Sequence, residues 1–325
     1  MKNINDILDE IPALKRDLRK PLTRQQTRII AAAAEIAQQT PDEIEPAFMA
    51  RQLVQATLPH KNPGNVPAWT RKNGDLKLTV QAGWDETRDR TIGYPYGTLP
   101  RLLLFWITTE AIRTGQPRLE LGNSLAAFMR ELGLDPSRGG KRSDARRLRD
   151  QMERLFAARI SFTQEKREGA NRGKAWLRMS VAPRGVMWWD ERNPEQPCLF
   201  RSWIQLSAEF FEAIRSAPVP VNMQALRALK GSALALDLYA WASYTAYIAT
   251  QTGKARFVSW ELLMEQFGGG YAHVQHFRAK AKAALRKIKV VYPGLSIGKA
   301  QGGIEILPGA SAAVPPRKLT KRKAD

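Results

Sequence analysis

HVQHFRAKAKAALRKIK, His273 to Lys289, is the stretch whose reading decides the fold. Phe277, Ala281, Leu285 and Ile288 recur at i, i+4, i+8 and i+11, the repeat of one buried helix face. Gln275, Arg278, Lys282, Arg286 and Lys289 form a polar stripe at spacings of 3, 4, 4 and 3. Between Ala272 and Lys289 stand six Lys or Arg and no Asp or Glu. Neighbouring like charges on a helix repel by about 0.2–0.5 kcal/mol per pair, and no acid is present to relieve them. A phosphate backbone removes that repulsion.

Working outward, the helix sits in a recognisable order. Met223 to Ile248 reads as one long apolar helix, Phe257-Val258 as a short strand, and Trp260 to Phe267 as a helix closed by Gly268-Gly269-Gly270. After the basic helix, Leu295–Ile297 can pair with Ile304–Leu307 across Gly302-Gly303. The same order occurs earlier. Leu102, Leu103, Phe105, Trp106, Thr109 and Ile112 fit a buried helix, and a second begins near Asn123 or Ser124 and ends at Gly133. A third helix runs from Ser143 to about Ala158, followed by strand-like runs Arg159–Glu165 and Lys174–Ala182. Helix, helix, turn, basic helix and hairpin is the order of a winged helix-turn-helix. The expected fold is therefore α+β and mostly helical, with two tandem winged-helix domains. The expected divisions are a helical region at 1–60, domains at 61–200 and 201–310, and a disordered basic tail at 311–325. Within the first region, Thr23 caps a helix through the Ala31–Ala34 run and a second short helix covers Phe48 to Thr57. Trp69–Lys72 and Leu76–Val80 flank Asn73-Gly74, a hairpin signal.

In the first basic helix, Leu148, Met152, Leu155 and Phe156 make the apolar face. Arg142, Arg146 and Arg149 lie on a neighbouring face, with Lys141 and Arg147 beside them. A helix buried on one side and lined with guanidinium groups on another fits a major groove about 12 Å wide. Asp144, Asp150 and Glu153 also offer intrahelical partners, which favours a solvated surface helix instead. The wing tips add Lys166, Arg167, Arg172 and Lys174 in the first module and Lys299 in the second, positions suited to phosphate contact.

Composition agrees with a polyanion partner. Fifty-one Lys and Arg stand against thirty-one Asp and Glu, a formal charge of +20 over 325 residues. Cys198 is the single thiol, so neither a disulfide nor a cysteine-based zinc site is expected, and a reducing cytoplasm is the expected compartment. Leu102 to Ile107 is too short to span a bilayer and Met1 to Lys20 lacks an apolar signal core. His273 and His276 have His-x-x-His spacing, but only Glu265 lies within ten residues as a further ligand, and no metal or other cofactor is expected. The glycine-containing stretch Gly169–Ala175 lacks P-loop spacing, and no His-x-His is present for an origin-nicking nuclease, so no enzymatic activity is expected. Trp188-Trp189 fits a strand-end core position or an inter-domain contact better than a base-stacking site.

GYPYGTLPRLLLFWITTEA from Gly93 to Ala111, LGNSLAAFMRELGL from Leu121 to Leu134 and LRDQMERLF from Leu148 to Phe156 resemble the RepA-type initiators of theta-replicating, broad-host-range plasmids. QLSAEFF from Gln205 to Phe211 and ALDLYAW from Ala235 to Trp241 continue the likeness, which spans residues 45 to 308. The resemblance implies binding of double-stranded DNA at short origin repeats (iterons), help in melting an adjacent A/T-rich region, and recruitment of the host replication initiator and helicase machinery. It also implies repression of the protein's own promoter as a homodimer. By position, Arg142 to Arg149 and Gln275 to Arg286 would then be the base-reading elements. A winged-helix transcriptional repressor without initiator activity is the alternative, and one palindromic operator rather than several direct repeats would mark it.

Overall fold

The computed structural model describes residues 22–40, 42–137, 143–168, 171–188, 196, 202–298, 300–310 and 313–314. The expectations for the far N-terminus, Lys141, Arg142, Trp189, Cys198, Lys299 and the tail from Pro315 fall outside the described residues, as does the side chain of Arg167.

In chain order the first elements are α1 (Arg24–Gln38), β1 (Pro46–Ala50), α2 (Arg51–Gln55), β2 (Trp69–Asn73), β3 (Leu76–Gln81), β4 (Gly83–Asp85) and β5 (Arg90–Gly93). There follow α3 (Leu99–Thr114), β6 (Arg118–Glu120), α4 (Leu125–Glu131), α5 (Asp144–Ala157), β7 (Arg159–Glu168), β8 (Asn171–Ser180), β9 (Arg184–Val186) and β10 (Trp203–Gln205). The remainder comprises α6 (Ala208–Ser216), β11 (Pro218–Asn222), α7 (Met223–Leu229), α8 (Ala233–Thr252), β12 (Arg256–Ser259), α9 (Trp260–Phe267), α10 (Val274–Val291), β13 (Ile297–Gly298) and β14 (Gly303–Ile306). Helix and sheet are mixed throughout the described chain, as an α+β fold requires.

Two helices carry the core. Every residue of α3 from Leu99 to Thr108 is buried, and so is every residue of α8 from Leu234 to Ser243. A helix apolar around its whole circumference must be enclosed by other elements. Each of these apolar runs contains one charge, and the two charges meet. Arg101 Nε donates to Asp237 Oδ1 at 2.7 Å and Nη2 to Oδ2 at 2.8 Å. The same guanidinium donates to the carbonyls of Leu58, Pro59 and Gly97, while His60 Nε2 lies 2.7 Å from Asp237 Oδ2. A buried charge persists only when its hydrogen-bonding capacity is filled in this way. Burial alone raises the Asp237 pKa, yet the Arg101 charge and the His60 bond bring it down to about 2. Burial holds His60 below its ordinary value, outweighing the upward pull of Asp237.

Residues 48–57 depart from the helix read in the sequence. Pro46 to Ala50 form β1, which pairs antiparallel with β11 from Pro46↔Asn222 to Ala50↔Pro218, and only Arg51–Gln55 are helical. The pairing sets Ala47 and Met49 into the core, and Phe48 N donates to Thr109 Oγ1 at 2.9 Å, so tertiary partners override a helix-compatible composition. The long helix expected from Met223 to Ile248 is likewise two. Ser232 caps α8 by accepting from Ala235 N at 3.2 Å, and α7 ends before Lys230-Gly231. Elsewhere the reading and the structure agree closely. Thr23 caps α1 through a capping box, Ser143 caps α5, and Trp260–Phe267 is helical at the expected residues.

The β2–β3 hairpin forms around Gly74-Asp75, one residue beyond the expected turn, with Gly74 at φ 56°. It does not stand alone. β3 pairs with β7, giving a four-stranded sheet in the order β2-β3-β7-β8. A second sheet has the order β6-β10-β9 and a third the order β12-β14-β13. β10, at Trp203–Gln205, thus joins residues on both sides of position 200 in one sheet, and one buried apolar cluster extends from Ile29 to Ile306.

Candidate nucleic-acid interface

The basic helix α10 lies on a platform made by α1, α7, α8 and α9. Phe277, Ala281, Leu285 and Ile288 are buried against it, as their spacing requires. Gln275, Arg278, Lys282, Arg286 and Lys289 are all exposed along the opposite side. At the helix start Trp260 supports two of these cations. The Arg278 guanidinium carbon lies 5.8 Å and Lys282 Nζ 5.7 Å from the indole centroid. Such contacts hold long side chains in position without removing their charge. Trp260 was not singled out as functional from sequence; the signal was a tryptophan opening the helix before the basic one.

Not every cation of α10 belongs to the stripe. Lys287 is half-buried and its Nζ donates to Gln25 Oε1 of α1 at 3.1 Å, and burial lowers its pKa. The stripe is therefore a surface of Gln275, Arg278, Lys282, Arg286 and Lys289. Beside it β12, β14 and β13 form the hairpin-bearing sheet, and a cleft of about 410 Å³ separates helix and sheet. Lys282, Arg286 and Lys289 line it from α10, and Gly298, Ala300 and Gly303 from the hairpin side. His273 and His276 open the helix with rings 5.7 Å apart and nearly perpendicular.

A close glycine contact lies in the turn before α10. Arg71 of β2 is buried, with its guanidinium over the Trp69 ring at 4.6 Å and pressed on Gly269 in the turn between α9 and α10. A Cβ at Gly269 would lie 1.9 Å from Arg71 Nη2, so no larger residue fits while Arg71 holds this position. Burial lowers the Arg71 pKa to about 10.

The basic helix α5 is built differently. Leu148, Met152 and Leu155 are buried, Phe156 is half-buried, and Arg146 and Arg147 are exposed. Arg147 Nη1 donates to Asp144 Oδ1 at 3.0 Å, and Arg149 is half-buried and engaged within the chain. Arg154 pairs with Asp150 at 3.0 Å, and its guanidinium lies 5.5 Å from the Tyr96 ring centroid. Gln151 Oε1 accepts from Tyr96 N at 2.8 Å. These bonds anchor the helix to residues 94–96 and spend part of its charge internally.

On the β7–β8 hairpin, Lys166, Arg172 and Lys174 are exposed. The register pairs Lys166 with Gly173 and Glu165 with Lys174, so Lys166 projects from one sheet face and Arg172 and Lys174 from the other. The hairpin extends the sheet of β2 and β3, whereas β6 pairs with β10. In the later passage β12 pairs directly with β14. Trp188 is half exposed and bonded through its backbone N and O to Ser202 Oγ, which rules out a place in the core.

The described surface is thus that of an α+β protein presenting an acid-free cationic helix beside a small sheet. Residues 94–262 match the family described as plasmid encoded RepA protein, and the chain belongs to that family of plasmid replication proteins. The match begins at the Tyr94-Pro95-Tyr96 segment that α5 grips and ends inside α9. Among solved structures the chain is similar to the crystal structure of selenomethionine derivatives of domains 2 and 3 of RctB, with 11% identity and a TM-score of 0.47 over 76% of this chain and 93% of that one. A crystal structure of RctB domains 2–3, covering its residues 155–483, aligns at 13% identity with a TM-score of 0.45 over 78% and 94% of the two chains. No curated protein sequence matches. Among the described residues no helix is long and apolar enough to cross a membrane.

Proposed function

We propose that this chain is a sequence-specific plasmid replication initiator acting in the bacterial cytoplasm. It binds duplex DNA at short repeats in the origin, helps open the adjacent DNA, and recruits the host initiator and helicase machinery. It does so by binding, without an enzymatic step of its own. Membership of the plasmid RepA family supports the replication role. The observation that carries the DNA reading is α10, whose exposed stripe has four cations and no acid. A helix of this diameter fits the major groove, where Arg and Lys pair with guanine edges or grip phosphate.

The finer assignment of two winged-helix modules rests on element order. α8, β12, α9, α10 and the β13–β14 hairpin follow one another with sheet order β12-β14-β13, which places the first strand beside the last and supports a winged helix. α3, β6, α4, α5 and the β7–β8 hairpin supply the same order, modified by β10 beside β6. Each module would set its basic helix in a major groove and its hairpin on the backbone.

Selection of binding sites from random duplexes, followed by footprinting on plasmid DNA, tests this reading. A recovered motif that recurs as direct repeats at the origin is the expected result. Recovery of a single palindromic operator would favour a repressor, and an unselective pool would refute sequence-specific binding.

A further inference from the structure

The outer face of the sheet β2-β3-β7-β8 takes no part in the proposed duplex contacts of the basic helices. Its inner face is closed by Leu78, Val80, Ile160, Phe162 and Met179, all buried. Alternation then fixes what faces outward. Lys72, Lys77, Thr163 and Trp176 form one row across the four strands, from the pairings Lys72↔Lys77, Lys77↔Thr163 and Thr163↔Trp176. Thr70, Thr79, Ser161 and Arg178 form the next row, and Glu165 and Lys174 continue the face on the other side.

Trp176 is 62% exposed, far more than an indole gains by chance on a sheet that buries its other side well. Lys174 and Arg178 flank it along β8, each a two-residue step of about 7 Å away. Lys72 and Lys77 lie in its own row. These four cations are exposed and have no ion-pair partner among the described residues, and Glu165 is the one acid on the face within the described strands. Charge of this kind calls for a polyanion rather than an acidic-poor protein surface. A four-stranded face is broader than the helix or two-stranded ribbon that a major groove admits, and an intact duplex keeps its base faces stacked on one another, away from an indole. An unpaired strand offers both, phosphates for the lysines and bases for the ring.

We infer that the outer face of this sheet binds single-stranded DNA, with Trp176 as the base-stacking platform and Lys72, Lys77 and Arg178 as the phosphate contacts, while Lys174 at the hairpin tip stays with the proposed duplex contacts. DNA rather than RNA is the occupant because the chain belongs to a plasmid replication family. The site is separate from the α10 stripe, so its success or failure is independent of the initiator reading.

The test uses the full chain and a fluorescein-labelled twenty-nucleotide oligothymidylate, followed by anisotropy at low salt. Trp176→Ala weakens binding about tenfold, and Trp176→Phe retains most of it. Lys72→Ala with Lys77→Ala weakens binding and flattens its salt dependence. All these positions are exposed, and unchanged thermal melting certifies the fold. Each variant binds the selected duplex within twofold of the parent, while Arg278→Ala with Arg286→Ala loses the duplex and keeps the single strand. Failure of the parent protein to bind oligothymidylate, parental affinity in Trp176→Ala, equal losses on strand and duplex, or tighter binding of oligouridylate would each overturn the inference.

Discussion

α5 and α10 are two basic helices with different surroundings. Both bury one apolar stripe and both carry cations on the far side. α5 intersperses its arginines with acids, and the structure pairs Arg147 with Asp144 and Arg154 with Asp150. α10 has no acid, and two of its cations are steadied by the Trp260 ring instead. An ion-paired guanidinium must give up its partner before it grips phosphate, whereas one resting on an indole keeps its charge available. The difference teaches that counting cations on a helix overstates its capacity to bind DNA. On the proposed function, α10 would be the primary duplex contact and α5 the secondary one, with Arg146 as its exposed arginine outside the printed ion pairs.

The comparison can be broken most severely on α10. Replacing Arg278, Lys282 and Arg286 together with Ala should weaken duplex binding about a thousandfold, from three contacts of about 1–3 kcal/mol each, with circular dichroism unchanged. Retained affinity in a filter-binding titration would remove α10 from its primary place. The next effect concerns the frame that holds both helices. Asp237→Asn leaves Arg101 buried without a countercharge and should cost about 3 kcal/mol of stability, read from urea denaturation. A loss below about 0.5 kcal/mol would mean that the buried pair does not tie α3 to α8.

Within α5 the two exposed arginines should separate. Arg146→Ala should weaken binding about tenfold, whereas Arg147→Ala should change it less than about twofold, because Asp144 already engages that charge. Equal losses would show that the Asp144 pair opens freely on DNA. The smallest effect is a pH dependence of folding. The folded His60 pKa lies below its unfolded value, so its contribution is complete above about pH 6.5 and declines as the pH falls. The depressed Asp237 carboxyl adds a further loss only as the pH drops below its ordinary value of 3.8 toward about 2. Thermal melts between pH 7 and 5 should therefore fall in the parent protein and flatten in His60→Gln. Parallel slopes would assign the dependence to another group.

Much of this was legible in local sequence. The period of Phe277, Ala281, Leu285 and Ile288 located α10 and its buried side, and Ser143 and Thr23 marked helix starts through their caps. What escaped depended on partners distant along the chain. β1 pairs with β11, and nothing in Pro46 to Ala50 names that partner, so Phe48 to Ala50 reads from sequence as the start of a helix. The join of the two hairpins into one sheet is also non-local, and with it the outward row ending at Trp176. The buried Arg101–Asp237 pair did leave a signal: each is a lone charge inside an otherwise apolar helix. The ion pairs of α5 were visible only as candidates, since spacing permits Asp144–Arg147 without requiring it.

The salt dependence of binding to the selected duplex tests the two-helix account most directly. Cations from α10, α5 and the hairpins that neutralise about eight phosphates give a slope of about −7 in log Kobs against log salt concentration. A slope near −2 would mean that only about two phosphates are met, and the paired docking of α5 and α10 would be contradicted.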